Sequence, residues 1–265
     1  MSTQRPTREL SIEQTLTWAF NIYLNNILVF AVPFLIAGLA SAAFSELAGL
    51  YTRNLPPLDY GAPPEEMLQW LSAYFPIWLA VTLLSVLVSW IISVIASGVC
   101  TKTVSDKIER GIVNLGDAFS FTVSKLISLL ITAVITGILI MLGLVALIIP
   151  GIILIIMFSL TTPSIIIENL GALDGISRSR RLVSHRWLKT FALLLLIGLS
   201  VLVVSVIVSL IITPIATYQP FVGNVVQTTI LAFIEPIIPI SITIYYYSMR
   251  AREEQERTPP PPPPF

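Results

Sequence analysis

The sequence has few of the residues that build disulfides and metal sites. Its 265 residues contain one cysteine, Cys100, and one histidine, His185. A single cysteine cannot form an intramolecular disulfide, and a lone histidine lacks the partners that a zinc site needs. No phosphate-binding loop, dinucleotide fingerprint, HExxH motif or recognisable nucleophile motif is present. We therefore expect no catalytic residue, no metal site and no cofactor, and we expect that the protein is not an enzyme.

Charged residues are also scarce. They make up 11% of the chain, against 55% for hydrophobic residues, whereas soluble domains carry about 25% charged residues. Several uncharged runs, such as LISLLITAVITGILIMLGLVALII, are long enough for a helix to cross a bilayer core of about 30 Å. Because the runs are continuous rather than alternating, they predict helices and not barrel strands. The sequence predicts an all-α polytopic membrane helix bundle.

Six transmembrane helices fit the chain if each apolar run crosses the membrane once. A minimal turn is expected at Pro150-Gly151, and the last crossing is expected to close on the tyrosines 245–247 at the interface. The crossings form one domain, residues 1–250, followed by a charged and then polyproline cytoplasmic tail, residues 251–265, which we expect to be disordered. The expected crossings are residues 27–47, 76–100, 126–148, 151–167, 190–213 and 224–248.

The basic residues predict the orientation of the bundle. With six crossings, every lysine and arginine except Arg53 falls on the same side. Basic residues in short loops mark the cytoplasmic side of a membrane. We therefore expect a multi-pass protein of the cytoplasmic membrane with both termini in the cytoplasm. Nucleic-acid binding is not expected, because the basic residues follow the membrane boundary.

Three amphipathic helices are expected at the inner membrane surface. Ser11 and Gln14 fit a capping box. Two further helices are expected after Asn114 and Asn169, each of which begins an Asn-Leu-Gly sequence. Each surface helix would precede two crossings. This order indicates either three related units of one surface helix and one helical hairpin, or convergence on the same capping residues.

Small polar residues recur every four positions in the second and third crossings. Residues with this spacing form one ridge of a helix, and small side chains there let two helix backbones approach closely. We expect the two ridges to pack against each other, and a hydrated path along the same face is the alternative. The ridges contain Ser85, Ser89, Ser93 and Ser97 in the second crossing, and Ser128, Thr132 and Thr136 in the third.

Glu235 lies deep inside the last predicted crossing. Arg250 follows 15 residues later, a distance of about 22 Å along a helix. A bare carboxylate at this depth is unfavourable, and Pro236 and Pro239 interrupt the helix hydrogen bonds next to it. A carboxyl group beside a broken helix is typical of ion or proton sites in transporters. The alternative is a protonated carboxyl that is hydrogen-bonded to a serine or threonine of a neighbouring helix.

A basic segment follows the fourth crossing, between positions 174 and 189. An amphipathic helix with basic edges lies in the headgroup layer and attracts anionic lipid. The alternative is that the charges only set the topology. The expected lipid contacts are Arg178, Arg181, Arg186, Lys189 and Trp187.

The last seven residues, Pro259–Phe265, are six prolines and a phenylalanine. Polyproline forms a stiff extended helix that docks into aromatic grooves of protein partners. A cytoplasmic protein partner is therefore one interpretation of the tail, and a soluble, unstructured end is the other.

One stretch resembles a known family. The run LIIPGIILIIMFSLTTPSIIIENLGALDGISRSRRLVSHRWLKTF is similar to the membrane domain found with some glycerophosphoryl diester phosphodiesterases. It also resembles stand-alone prokaryotic membrane proteins of unknown function. The resemblance implies a membrane domain over residues 9–250, and it carries no catalytic residue to this chain. Its motif residues are Pro150-Gly151, Pro163, Glu168, Ala172-Leu173, Arg178-Ser179, Leu182-Val183 and the closing run Tyr245 to Arg250.

Two functions remain open at this stage, and the sequence favours the first over the second. The first is a non-enzymatic accessory or scaffold module that binds membrane lipid or a protein partner. The second is a small transporter or channel in which Glu235 takes up a proton or cation. A polar cavity that reaches Glu235 would favour transport, and a dry core with a hydrogen-bonded carboxyl would favour the module.

Overall fold

The structure is a computed structural model that describes residues 5–57, 59 and 61–257. Within these residues it is helical, with short turns and no strand. The helices in chain order are α1 (Ile12–Leu24), α2 (Ile27–Arg53), α3 (Pro64–Arg110), α4 (Leu115–Ser124), α5 (Leu126–Ala146), α6 (Ile148–Phe158), α7 (Thr161–Ile167), α8 (Ala172–Val183), α9 (Trp187–Tyr218), α10 (Pro220–Leu231) and α11 (Ile237–Arg257).

Five helical segments of the described chain are long and apolar enough to cross a membrane. They are α2, α3, α5, α9 and the nearly continuous pair α6 and α7, which spans Ile148–Ile167. Most of their apolar surface is exposed, as at Val145, Ile149 and Leu210, which is the surface that lipid covers in a membrane protein. The all-helical class and the multi-pass character predicted from the sequence are therefore supported.

The sixth predicted crossing differs from the prediction, because residues 224–248 do not form one helix. α10 ends at Leu231, a turn covers residues 232–236, and α11 begins at Ile237. Pro236 and Pro239 have no backbone N–H to continue the helix. The turn closes its own hydrogen bonds, since Glu235 N donates to Leu231 O at 2.9 Å and Ile238 N donates to Glu235 O at 3.2 Å.

The second crossing is longer than predicted. The second crossing was expected at residues 76–100, but α3 runs without a break for 47 residues from Pro64 to Arg110. Proline is well suited to the first helical position, and Glu65 and Glu66 favour the positive end of the helix dipole. Gly111, with φ of 70°, ends α3 in the left-handed conformation.

The reversal between α5 and α6 lies at Leu147, three positions before the predicted Pro-Gly turn. Leu147 is extended, with φ of −162° and ψ of 141°, and Pro150 and Gly151 belong to the first turn of α6. Proline is tolerated there because the first N–H groups of a helix have no helical partner. A Cβ atom on Gly151 would lie 2.8 Å from the backbone N of Leu144. The glycine therefore allows close packing of the two helices.

The three predicted amphipathic helices are present as α1, α4 and α8. Ser11 Oγ accepts a hydrogen bond from Gln14 N at 3.1 Å, and Ser11 N donates to Gln14 Oε1 at 3.0 Å, so the capping box is confirmed. Asn114 caps α4 through Gly116 N at 3.0 Å. The relation of these units as internal repeats stays a prediction.

The buried core is concentrated around α11. Phe30 of α2, Cys100 of α3 and Leu193 of α9 are fully buried in the clusters that surround it. The tyrosines 245–247, expected at the interface, are buried instead. Two of them reach polar partners, Tyr245 with Thr190 Oγ1 at 2.8 Å and Tyr247 with Ser105 Oγ at 2.8 Å, which makes burial of a tyrosine hydroxyl favourable.

Ion pairs join distant parts of the chain at the end of the bundle where α11 ends. Arg5 pairs with Glu109 at 2.7 Å, Arg178 with Glu253 at 2.6 Å, and Arg186 with Glu9 at 3.2 Å. The N-terminal segment, the end of α3, α8 and the end of α11 therefore meet at one end of the bundle.

Candidate functional site

A polar cavity of about 310 Å³ lies between α2, α3 and α10, with Glu235 at one end. Its carboxyl is accompanied by hydroxyl and amide groups, and no basic residue lines the cavity. The lining residues are Phe34, Ala37, Gly38, Ser41, Ala42 and Ser45 of α2, Ser89, Ser93 and Ala96 of α3, and Asn224, Thr228 and Leu231 of α10, with Glu235.

The sequence builds this cavity from small residues. α2 approaches α10 closely at Gly38, where a Cβ atom would lie 2.1 Å from Thr228 Cγ2. On α3, Ser89 and Ser93 lie one helical turn apart on the same face. Small side chains on all three helices leave unfilled space where larger apolar residues would have closed the bundle.

Glu235 lies in the turn between α10 and α11. Its side chain lines the cavity. Among the described residues, no hydrogen bond or ion pair to this carboxyl is found. The bonded serine or threonine partner considered from the sequence is therefore not seen there. The side chain remains exposed to the cavity.

Dense packing lies on the other side of the turn. The Tyr23 hydroxyl donates to the carbonyl oxygen of Phe233, and Cys100 Sγ lies 3.9 Å from the carbonyl oxygen of Pro236. Phe30 and Ile240 are fully buried beside them. The interrupted backbone is therefore partly satisfied by α1 and α3, and the cavity is closed on the side of α1.

The other end of the cavity is open. Its lining runs from Phe34 to Ser45 along α2, a distance of about 16 Å at 1.5 Å per residue. Ser45 is exposed and Asn224 is half-buried at the start of α10. The polar lining therefore extends from Glu235 toward the end of the bundle opposite to α1.

The two predicted ridges meet over part of their length. Ser93 and Ser97 of α3 face Thr132 and Thr136 of α5 across a second cavity of about 260 Å³. Ser93 lines both cavities. Neither Ser85 nor Ser128 lines either cavity, and the Ser85 hydroxyl donates to its own helix at Val81 O, 2.8 Å away.

An apolar groove of about 510 Å³ lies on the other face of the contact between α2 and α3. Ala37 and Ala96 line both this groove and the polar cavity. The rest of the groove is lined by apolar residues, including Pro33 and Ile92, and by Phe119 of α4. The sequence did not predict this groove, because it depends on how three helices pack against one another.

Arg178, predicted to contact lipid, is instead held by carboxylates. Only 8% of the residue is exposed. Its Nε donates to Glu168 Oε2 at 2.8 Å, Nη2 donates to Glu168 Oε1 at 2.8 Å, and Nη1 donates to Glu253 Oε2 at 2.6 Å. Two bonds to one carboxylate form the bidentate geometry that arginine favours. The guanidinium therefore joins α7, α8 and α11.

The pKa values at this cluster reflect its ion pairs. Burial raises the pKa of Glu168, but the hydrogen bonds from Arg178 outweigh burial and hold that pKa below its usual value. The pKa of Glu253 is lowered in the same way, with burial opposing and Arg178 prevailing. Both groups are therefore ionised at neutral pH and stabilise the arginine charge.

The other predicted lipid contacts divide into two groups. Lys189 Nζ donates to Glu9 Oε1 at 2.5 Å and to Leu10 O at 2.6 Å, and Arg186 Nε shares Glu9 at 3.2 Å. The Arg181 side chain is 61% exposed although it approaches Glu253 at 3.4 Å, and half of Trp187 is exposed. Arg181 and Trp187 thus remain accessible, and Arg178 and Lys189 are engaged within the protein. Arg186 is paired with Glu9 but its side chain is still 42% exposed.

Two other sequence interpretations concern metal binding and the tail. Among the described residues, no group of three or more His, Cys, Asp or Glu side chains could hold a metal ion. The predicted docking segment Pro259–Phe265 lies outside the described residues.

A family model described as "Domain of unknown function (DUF7847)" matches residues 11–246. The chain belongs to this family. The matched part of the DUF7847 protein contains both the Glu235 cavity and Arg178. No curated protein and no solved structure matches the chain. The match shows a domain of unknown function, and it shows no link to the membrane domain of the phosphodiesterases.

Proposed function

We propose that this DUF7847 protein is a small membrane transporter or channel in which Glu235 takes up a proton or a small cation. The observation that carries the proposal is the open polar cavity of about 310 Å³ that ends at the Glu235 carboxyl. An ionisable side chain within a membrane bundle is expensive to maintain and usually serves a function. Broken helices next to such residues are typical of transporter ion sites.

In this proposal the sixth crossing is a broken one, formed by α10, the turn at residues 232–236 and the first half of α11. Six crossings place α1, α4 and α8 at the cytoplasmic face of the cytoplasmic membrane, with both termini in the cytoplasm. The excess of basic residues at this end of the bundle supports that orientation. The cavity then opens toward the outer side.

The second candidate function is an accessory module that binds lipid or a protein partner. Two observations favour lipid binding. Arg181, Arg186 and Trp187 form an exposed basic and aromatic edge near α8, and an apolar groove lies between α2, α3 and α4. The resemblance to the phosphodiesterase membrane domain fits this second candidate function, because an accessory membrane domain would need no catalytic residue of its own.

The decisive experiment measures ion flux through the purified full chain in liposomes, with a pH-sensitive dye for protons and a sodium or potassium indicator for cations. Wild-type protein is expected to produce flux, and Glu235→Gln is expected to lower it at least tenfold because the ionisable group is removed. Glu65→Gln removes an exposed carboxyl at the start of α3 and serves as the control. Equal flux in all three proteins, with folding intact, would overturn the proposal.

A further inference from the structure

The composition of the Glu235 cavity limits the class of ligand. It presents one carboxylate, with the hydroxyls of four serines and Thr228 and the amide of Asn224, and no basic side chain. A single negative charge surrounded by neutral oxygen atoms attracts a cation and repels an anion. Each of these hydroxyls accepts hydrogen bonds as well as donating them.

A divalent cation does not fit this donor set. Calcium takes six to eight oxygen ligands, commonly several carboxylates, and magnesium keeps most of its water when few carboxylates are present. Only one carboxylate lines the cavity, and the described residues contain no cluster of three potential metal ligands. The charge of the site matches a monovalent cation.

The size of the cavity favours an organic ion over a bare one. Its volume of about 310 Å³ lies at the lower end of the range for sites that bind small organic molecules, which begins at about 300 Å³. A dehydrated metal ion would leave most of this space unfilled. Phe34, Ala42 and Leu231 also give the cavity an apolar wall, which a bare ion does not use and a short hydrocarbon group does.

We propose that the cavity binds a small organic ammonium ion, with its nitrogen at Glu235 and its hydrocarbon part against Phe34, Ala42 and Leu231. A primary ammonium group has three N–H donors, which the carboxylate and neighbouring hydroxyls can accept. The inference rests on the proposed function, because both place the bound ion at the Glu235 carboxyl. It adds the chemical class of that ion. A quaternary ammonium ion such as tetrabutylammonium has the same charge but no N–H group, so it cannot donate these hydrogen bonds.

The inference is tested by isothermal titration of the full chain in lipid discs at pH 7.5. The probes are methylammonium, n-butylammonium and tetrabutylammonium chloride, with sodium and magnesium chloride for comparison. We expect methylammonium and n-butylammonium to bind and tetrabutylammonium and magnesium not to bind. Loss of the charge-assisted hydrogen bond in Glu235→Gln should weaken n-butylammonium binding about tenfold or more, whereas Glu65→Gln should leave it unchanged.

A second variant tests the cavity without altering the carboxyl. Ser89→Leu places a larger apolar side chain in the wall opposite α2 and α10. It should exclude n-butylammonium while the carboxyl and the fold are retained, and thermal unfolding in lipid discs checks the fold. Equal n-butylammonium binding in wild-type protein, Glu235→Gln and Ser89→Leu would overturn the inference.

The outcomes also separate the inference from the proposed function. If Glu235-dependent flux of protons or sodium is measured but no ammonium ion binds, the inference fails and the transport proposal stands. If ammonium ions bind in a Glu235-dependent way without any flux, the ligand class is supported and transport is not. If neither is observed, both fail.

Discussion

Arg178 and Glu235 are two charged residues that differ in whether their side chains have partners within the protein. Arg178 has four hydrogen bonds from its guanidinium to Glu168 and Glu253, whereas the Glu235 carboxyl has no hydrogen-bond or ion-pair partner among the described residues and faces a cavity. A buried ion pair with satisfied hydrogen bonds is stable in place. An unpaired carboxyl is available to a ligand, and this difference is the reason why we propose a structural role for Arg178 and a functional role for Glu235.

At the residue scale we predict that Arg178→Met destabilises the protein by about 3 kcal/mol, because the change leaves two carboxylates without their buried partner. Chemical unfolding in detergent, followed by tryptophan fluorescence, measures the effect. Arg181→Met is the matched control on the same helix, since its exposed ion pair should contribute less than about 1 kcal/mol. Equal losses of stability in the two variants would contradict a structural role specific to Arg178.

At the scale of helices, two hairpins depend on glycines that let their arms touch. A Cβ on Gly151 would meet Leu144 of α5, and a Cβ on Gly223 would lie 2.6 Å from Ala216 Cα of α9. Such contacts are the usual basis of helix association in membranes, where no hydrophobic effect drives helices together.

We predict that Gly151→Ala separates α5 from α6 and costs about 1–3 kcal/mol, the usual cost of overpacking. Gly137 of α5 is the control, because it is exposed and a Cβ there would meet nothing within 4 Å. Gly137→Ala should be neutral or stabilise the helix by up to about 1 kcal/mol. Thermal unfolding in lipid discs measures both variants, and the idea fails if Gly151→Ala is as stable as Gly137→Ala.

At the scale of the whole molecule, the two ends of the bundle differ in their ion pairs. The end that contains α1, α8 and the last turns of α11 is tied together by ion pairs between distant parts of the chain. The opposite end carries Arg53, paired with Glu46 at 2.9 Å, and the mouth of the Glu235 cavity. A single membrane orientation follows if basic residues stay in the cytoplasm.

This orientation predicts the result of cysteine labelling in intact cells with a membrane-impermeant maleimide. Cys100 is fully buried and should not react. Glu66→Cys at the start of α3 should be labelled directly, and Glu256→Cys in α11 should be labelled only after the membrane is opened. Labelling of both positions from the same side would require an even number of crossings between them, instead of the five that the six-crossing topology places there, and would refute that topology.

Several features could be predicted from local sequence because their causes are local. The apolar runs, the capping box at Ser11 and the helix start after Asn114 each depend on residues within one or two helical turns. The sequence also indicated that the chain is interrupted near Glu235, since Pro236 and Pro239 cannot complete a helix. It placed the α5–α6 reversal three residues late, because proline and glycine at positions 150 and 151 suit a first helical turn as well as a loop.

The remaining features depend on tertiary structure. Lys189 meets Glu9 and Arg178 meets Glu253 across separations of 180 and 75 residues, so no local pattern could show that these cations are neutralised within the protein. The cavity at Glu235 needs α2, α3 and α10 side by side. By itself, the sequence determined that the chain is helical and has segments long and apolar enough to cross a membrane, because length and hydropathy are properties of single helices. Only the packing of those helices decided which charges are paired and which one faces an open cavity, because pairing and cavities are properties of several helices at once.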